Sequence, residues 1–136
     1  MGKVELIELP KILDSRGNLT FIQAPNHFPF EIKRVFWTYD VPGGANRGGH
    51  AYYEQYEIII ALSGGFDVVL KDADGNTHKF ALNRSYYGLH IPPLTWRHME
   101  NFSTNAVGLH LSSMEYTESD YIREFNHYIE ALRNVK

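Results

Sequence analysis

Residues Asn46 to Gly65 read NRGGHAYYEQYEIIIALSGG, and this stretch decides the fold. His50 and Tyr52 are two residues apart, so on an extended strand they look to the same side. Glu57 follows after a turn or bend, at the head of the apolar run IIIAL, and the turn SGG closes the stretch. His50, Glu57 and Gly64 stand at a spacing that a metal site or an acid/base site can use. Tyr52 occupies a place where a second histidine is expected.

On either side the signals are those of short strands. VELIEL, LTFIQA after the turn DSRGN, and IKRVFWTYDV before the turn PGGANRGG precede the motif; YEIIIAL lies within it. FDVVLKD and THKFAL follow, joined by ADGN, whose Asp74-Gly75 pair is a hairpin signal. YYGLHI, RHMENF and AVGLHLSS complete the series, and in the last of these Val107, Leu109 and Leu111 share one face while His110 takes the other. Eight or more short strands separated by Gly, Pro, Asn and Asp predict a sandwich or a small barrel. The end of the chain differs. Ile122, Phe125, Ile129 and Leu132 recur at helical spacing, which predicts one amphipathic helix capped by Thr117 or Ser119 and packed on the barrel or on a partner subunit.

The 136 residues predict a single domain over 1–136. With no cysteine there is neither a disulfide framework nor a thiolate site. A formal charge of −3 argues against nucleic acid as a partner. The run IIIAL is too short to span a bilayer. The first residues, MGKVELIELPK, do not read as a signal peptide, so the expectation is a cytoplasmic protein without a membrane segment.

The spacing of His50, Tyr52, Glu57 and Gly64 follows the first cupin motif, in which two histidines one residue apart precede a glutamate and a glycine. A second motif, HIPPLTWRHMEN, supplies His98 from another strand. The expected fold is therefore all-β, a cupin jelly-roll barrel with a C-terminal α-helix. Together DSRGNLTFI, FEIKRVFWTYD, YYGLHIPPLTWRHMENFSTN and EYTESDYIREF span nearly the whole chain, and with the motif strand they resemble the sugar-nucleotide 3,4-ketoisomerase family, cupins related in fold to the dTDP-sugar epimerases. The resemblance implies isomerisation of a dTDP-linked 4-oxo-6-deoxyhexose to the 3-oxo sugar, with no metal and no other cofactor. It also implies a homodimer that serves deoxysugar biosynthesis for surface polysaccharide. The family's Arg-Gly-x-His-Ala-His becomes Arg47-Gly48-Gly49-His50-Ala51-Tyr52 here. The first histidine is kept and the second is exchanged.

Moving a ketone from C4 to C3 requires taking the C3 proton, passing through an enediol and returning a proton to C4. A histidine titrating near neutrality suits the base. Tyrosine is a weak base but a competent proton donor. The expected catalytic set is His50 with Tyr52 and His98 assisting. Arg16 and Arg47 are expected at the anionic groups, and Trp37 and Tyr39, which share one face of the third predicted strand, beside the base or the sugar. Arg97 and His98 are strand neighbours, so only one of them can enter the cavity. His90 and His110 are placed at its border. Two rival readings stay open: a sugar-nucleotide-binding module that has lost turnover with its second histidine, and a metal-dependent cupin holding its ion with His50, Glu57 and His98.

Overall fold

Two five-stranded antiparallel sheets lie face to face in the computed structural model, which describes residues 3–135. The first sheet runs β1 (Glu5–Glu8), β9 (Tyr87–Ile91), β6 (Glu57–Ser63), β11 (Val107–Ser112), β4 (Arg34–Thr38). The second runs β12 (Tyr121–Ile122), β5 (Arg47–Tyr52), β10 (Trp96–Glu100), β7 (Phe66–Lys71), β8 (Thr77–Leu82). Among the described residues no ladder joins the two, so the expected barrel is an open jelly-roll sandwich. A small arm, β2 (Lys11–Ile12) paired with β3 (Leu19–Thr20), stands apart. The run LTFIQA thus yields only two strand residues.

The continuous apolar run in β6 has a simple cause. Ile59 and Ala61 point between the sheets with Phe66, Val68, Leu89 and Met99. Ile58 and Ile60 point outward, beneath Leu9, Phe28 and Leu111. A strand buried on both faces needs no polar alternation, and each fully buried isoleucine contributes about 1.5–3 kcal/mol. Gly64 ends the strand at φ +62°, where a Cβ would stand 2.5 Å from Ser103 Oγ and 2.9 Å from Ala106 Cα. Glycine is therefore required there.

The expected β7–β8 hairpin forms on a five-residue loop, in which Asp72 Oδ1 accepts from the backbone N–H of Asp74 and of Asn76 and Gly75 stands at φ +88°. One expectation shifts. The C-terminal helix α1 spans Phe125–Arg133 and starts later than the apolar spacing implies. Ahead of it Glu118–Asp120 form one 3₁₀ turn, with Thr117 making no side-chain cap, and Tyr121–Ile122 pair with Tyr52 and Ala51 of β5. That pairing supplies backbone partners for what would otherwise be the open edge of β5. α1 then covers the outer face of the second sheet, burying Tyr128 and Ala131 against Trp96, Ala51 and Ile122.

Candidate active site

At one end of the sandwich the inward faces of both sheets enclose a cavity of about 280 Å³. The strand β5 brings His50 and Tyr52 to it from one side, as their i, i+2 spacing requires. From the facing sheet, β6 presents Glu57, β11 His110 and β4 Thr38. Arg47 and Arg123 stand exposed at its border. A larger depression of about 550 Å³ lies elsewhere, between the β2–β3 arm and the outer face of the first sheet. Its lining mixes leucine and isoleucine with Lys11, Asn18, Arg84 and Tyr86 and holds no carboxylate or histidine, so it does not have the makings of an acid/base centre.

His50 is an uncharged ring at the cavity wall. Burial first, then the nearby Arg97 guanidinium, pushes its pKa down to about 3, so the ring is neutral. Its Nε2 is buried and has no hydrogen-bond partner among the described residues. Gly48, at φ +80°, lies against the ring, with an added Cβ only 3.4 Å from His50 Cε1. Tyr52 is 1% exposed and meets the His50 ring edge-on at a centroid distance of 4.8 Å. Burial, then the Glu57 carboxylate, holds its phenol far above the ordinary tyrosine range, so it keeps its proton. Arg97 lies over the Tyr52 ring at 4.7 Å.

Glu57 and Arg97 form an ion pair across the sheets, each 2% exposed. The second carboxylate oxygen accepts from His110 Nδ1 at 2.9 Å, and His110 Nε2 lies 3.2 Å from the Thr38 hydroxyl. Burial opposes the charge of Glu57, but Arg97 and His110 outweigh it and hold the carboxyl well below the usual carboxylate range. Phe36 stacks on His110 at 4.4 Å with the planes 6° apart, fixing the ring.

Several sequence expectations change position. Arg97, not His98, enters the cavity. His98 shares the opposite face of β10 with Trp96 and Glu100, and its Nε2–H donates to Glu100 at 2.7 Å. His98 is thereby removed from the expected catalytic set, and a metal triad of His50, Glu57 and His98 is not assembled. Arg16 sits at the tip of the β2–β3 arm, its side chain 87% exposed and donating twice to Asp14, away from the cavity. Trp37 and Tyr39 are 57% and 59% exposed. Trp37 reaches the rim, and Tyr39 does not line the cavity. The inward face of β4 is Phe36 and Thr38, one residue out of phase with the expectation. His110, placed at the border from the alternation in AVGLHLSS, is a buried wall residue. Thr38, Phe36, Tyr121 and Arg123 also line the cavity and were not singled out. Only the strand phase marks the first two, and Tyr121 was hidden by the apparent helical spacing.

Known proteins resemble this chain in both sequence and fold. A curated relative, TDP-4-oxo-6-deoxy-alpha-D-glucose-3,4-oxoisomerase of Aneurinibacillus thermoaerophilus, is 36% identical over 125 residues, covering 91% of this chain and 88% of its own. A variant of the 3,4-ketoisomerase QdtA from Thermoanaerobacterium thermosaccharolyticum, solved in complex with TDP-4-keto-6-deoxyglucose, superposes with a TM-score of 0.93 at 36% identity over 99% of this chain and 98% of that one. WlaRB, a TDP-quinovose 3,4-ketoisomerase of Campylobacter jejuni, gives 0.88 at 35% identity over 96% and 99%. The FdtA family, described as WxcM-like, C-terminal, matches residues 2–133. On this agreement in sequence and in fold, the chain belongs to the FdtA family, the sugar-nucleotide 3,4-ketoisomerase group that its motifs resemble.

Proposed function

We propose that this protein is a 3,4-ketoisomerase of a TDP-linked 4-oxo-6-deoxyhexose. The observation that carries the reading is His50: a neutral, buried imidazole in the family's motif position, its Nε2 unpartnered among the described residues at a cavity wall. His50 takes the C3 proton, the C–H electron pair becomes the C3–C4 double bond, and the carbonyl pair moves onto O4. Tyr52, held protonated by burial, donates a hydrogen bond to the developing oxyanion. When the enediol collapses toward C3, His50 returns its proton to C4. Arg97 adds positive charge beside the oxyanion, and Arg47 at the border offers a partner for the pyrophosphate.

The same reading makes the protein a cytoplasmic homodimer. Exposed Leu13, Leu62, Val35 and Trp37 support a second copy as cover for apolar surface. The presence of Tyr52 in the second histidine's place favours one alternative, a pocket that binds without turning over. Incubation with TDP-4-oxo-6-deoxyglucose in deuterated water, followed by NMR, separates them. The isomerase incorporates deuterium and forms the 3-oxo sugar. Measurable binding with neither exchange nor product refutes the isomerase reading for this substrate.

A further inference from the structure

The reaction moves two hydrogens, one from C3 to C4 and one from O3 to O4, and His50 accounts only for the first. The facing sheet holds a hydrogen-bonded chain that no step has yet used: Thr38 Oγ1, His110 and Glu57 at 3.2 and 2.9 Å. The carboxylate fixes its direction at one end. Glu57 is ionised and can only accept, so His110 Nδ1–H donates to it. The relay takes the neutral ring, in which Nε2 is the acceptor and the Thr38 hydroxyl donates to it. The Thr38 oxygen keeps its lone pairs for another donor, and Thr38 lines the same cavity as His50.

Resting on the isomerase reading above, we infer that Thr38 is a catalytic residue that carries the proton from O3 to O4, with His110 and Glu57 as its positioning residues and temporary proton store. As the enediolate collapses, the O3–H electron pair becomes the C3 carbonyl and the proton passes to Thr38. The Thr38 proton moves to His110 Nε2, giving an imidazolium beside the Glu57 carboxylate. The double-bond pair takes the proton from His50 at C4. The store then empties back through Thr38 onto O4, the adjacent oxygen, and every protein group ends as it began. The pair Phe36–His110, stacked at 4.4 Å, keeps the ring from turning while its charge changes.

Thr38→Val removes the hydroxyl at nearly constant shape, and Thr38→Ser keeps it. With TDP-4-oxo-6-deoxyglucose in deuterated water, T38V is expected to lower kcat by about 10²-fold, with KM little changed, in the range for loss of a proton-transfer group. Exchange at C3, the work of His50, persists, so the ratio of exchange to product rises, and T38S restores most of the turnover. Parallel loss of exchange and product, full turnover in T38V, or failure of T38S to rescue overturns the inference. A wild-type protein that neither exchanges nor isomerises refutes the isomerase reading instead. The relay then rests on a second measurement: the ¹⁵N resonance of His110 Nε2 moves on adding the sugar nucleotide to wild type, and T38V abolishes the movement. A resonance that stays still in wild type overturns the relay independently of turnover.

Discussion

Replacing His50 by asparagine tests the base and its environment together. The folded ring titrates at about 3, against 6.5 as the reference value for an unperturbed histidine. Between those values the unfolded chain binds a proton that the folded chain does not, so stability rises with pH through that window. It is fully present above 6.5 and is lost as pH falls toward 3. Integrating the linkage relation from pH 7 to pH 5 gives a loss of about 2 kcal/mol attributable to this one ring. That is a substantial part of a stability of about 5–15 kcal/mol for an ordinary domain. Asparagine does not titrate, so the variant should lose about 2 kcal/mol less than wild type over the same interval. Urea unfolding at pH 7 and pH 5, with slopes checked for equality, reads the difference. In activity, His50→Asn should lower kcat by about 10²–10⁴-fold, and wild-type kcat/KM should show no acid limb from His50 above pH 5. An equal loss of stability in both proteins, or a limb near pH 6.5 that vanishes with His50, would mean that the ring titrates as though solvated and that the assigned environment is wrong.

Three further outcomes follow from the same geometry. Arg97→Met strips the buried Glu57 carboxylate of its ion-pair partner and should destabilise the fold by about 3–5 kcal/mol in urea unfolding; a loss below 1 kcal/mol would show the pair to be dispensable. Gly48→Ala forces a side chain into φ +80° and against the His50 ring, so kcat should fall more than KM changes, while Gly49→Ala, which meets nothing within 4 Å, should be near wild type. His98→Ala, on the outward face of β10, should leave turnover nearly unchanged, and a loss comparable to that of His50→Asn would return His98 to the catalytic set.

The motif strand was legible because its chemistry and its period agree. His50 and Tyr52 share a face by simple alternation, and Gly48 and Gly64 mark the two places where the backbone needs positive φ. The β4 strand was not, because its polarity points the wrong way: Arg34 and Thr38 share the face of Phe36, while Val35 and Trp37 take the other. Val35 and Trp37, with Tyr39 just beyond the strand, are exposed in the single chain while Thr38 is buried, the reverse of what hydrophobicity suggests. Arg97 over His98 was equally hidden. Alternation admits one of them, but the choice rests on Glu57, forty residues away on the other sheet, which offsets the burial of a guanidinium. Ile122 fits a helical stripe as well as it fits a strand, and only the ladder to Ala51 decides between them.

These long-range partners also bear on what Tyr52 does. A histidine at that position would sit directly under the Arg97 guanidinium, which disfavours its protonated form as it disfavours that of His50, and would leave β5 with two rings unable to serve as proton donors. A phenol escapes the conflict: burial and Glu57 keep it neutral, and its ring face accepts the cation above it. The second imidazole of this cavity stands instead on β11. There His110 meets Glu57 directly at 2.9 Å. The two rings then line the cavity from opposite sheets, His50 neutral and His110 paired with a carboxylate, as the proposed reaction asks of them. On this arrangement Tyr52→His should not raise activity: it would place a second neutral ring beside His50 and remove the buried hydroxyl donor that β5 presents there. A steady-state gain in kcat from that substitution would show that Tyr52 merely fills space and that the motif's histidine is the better acid.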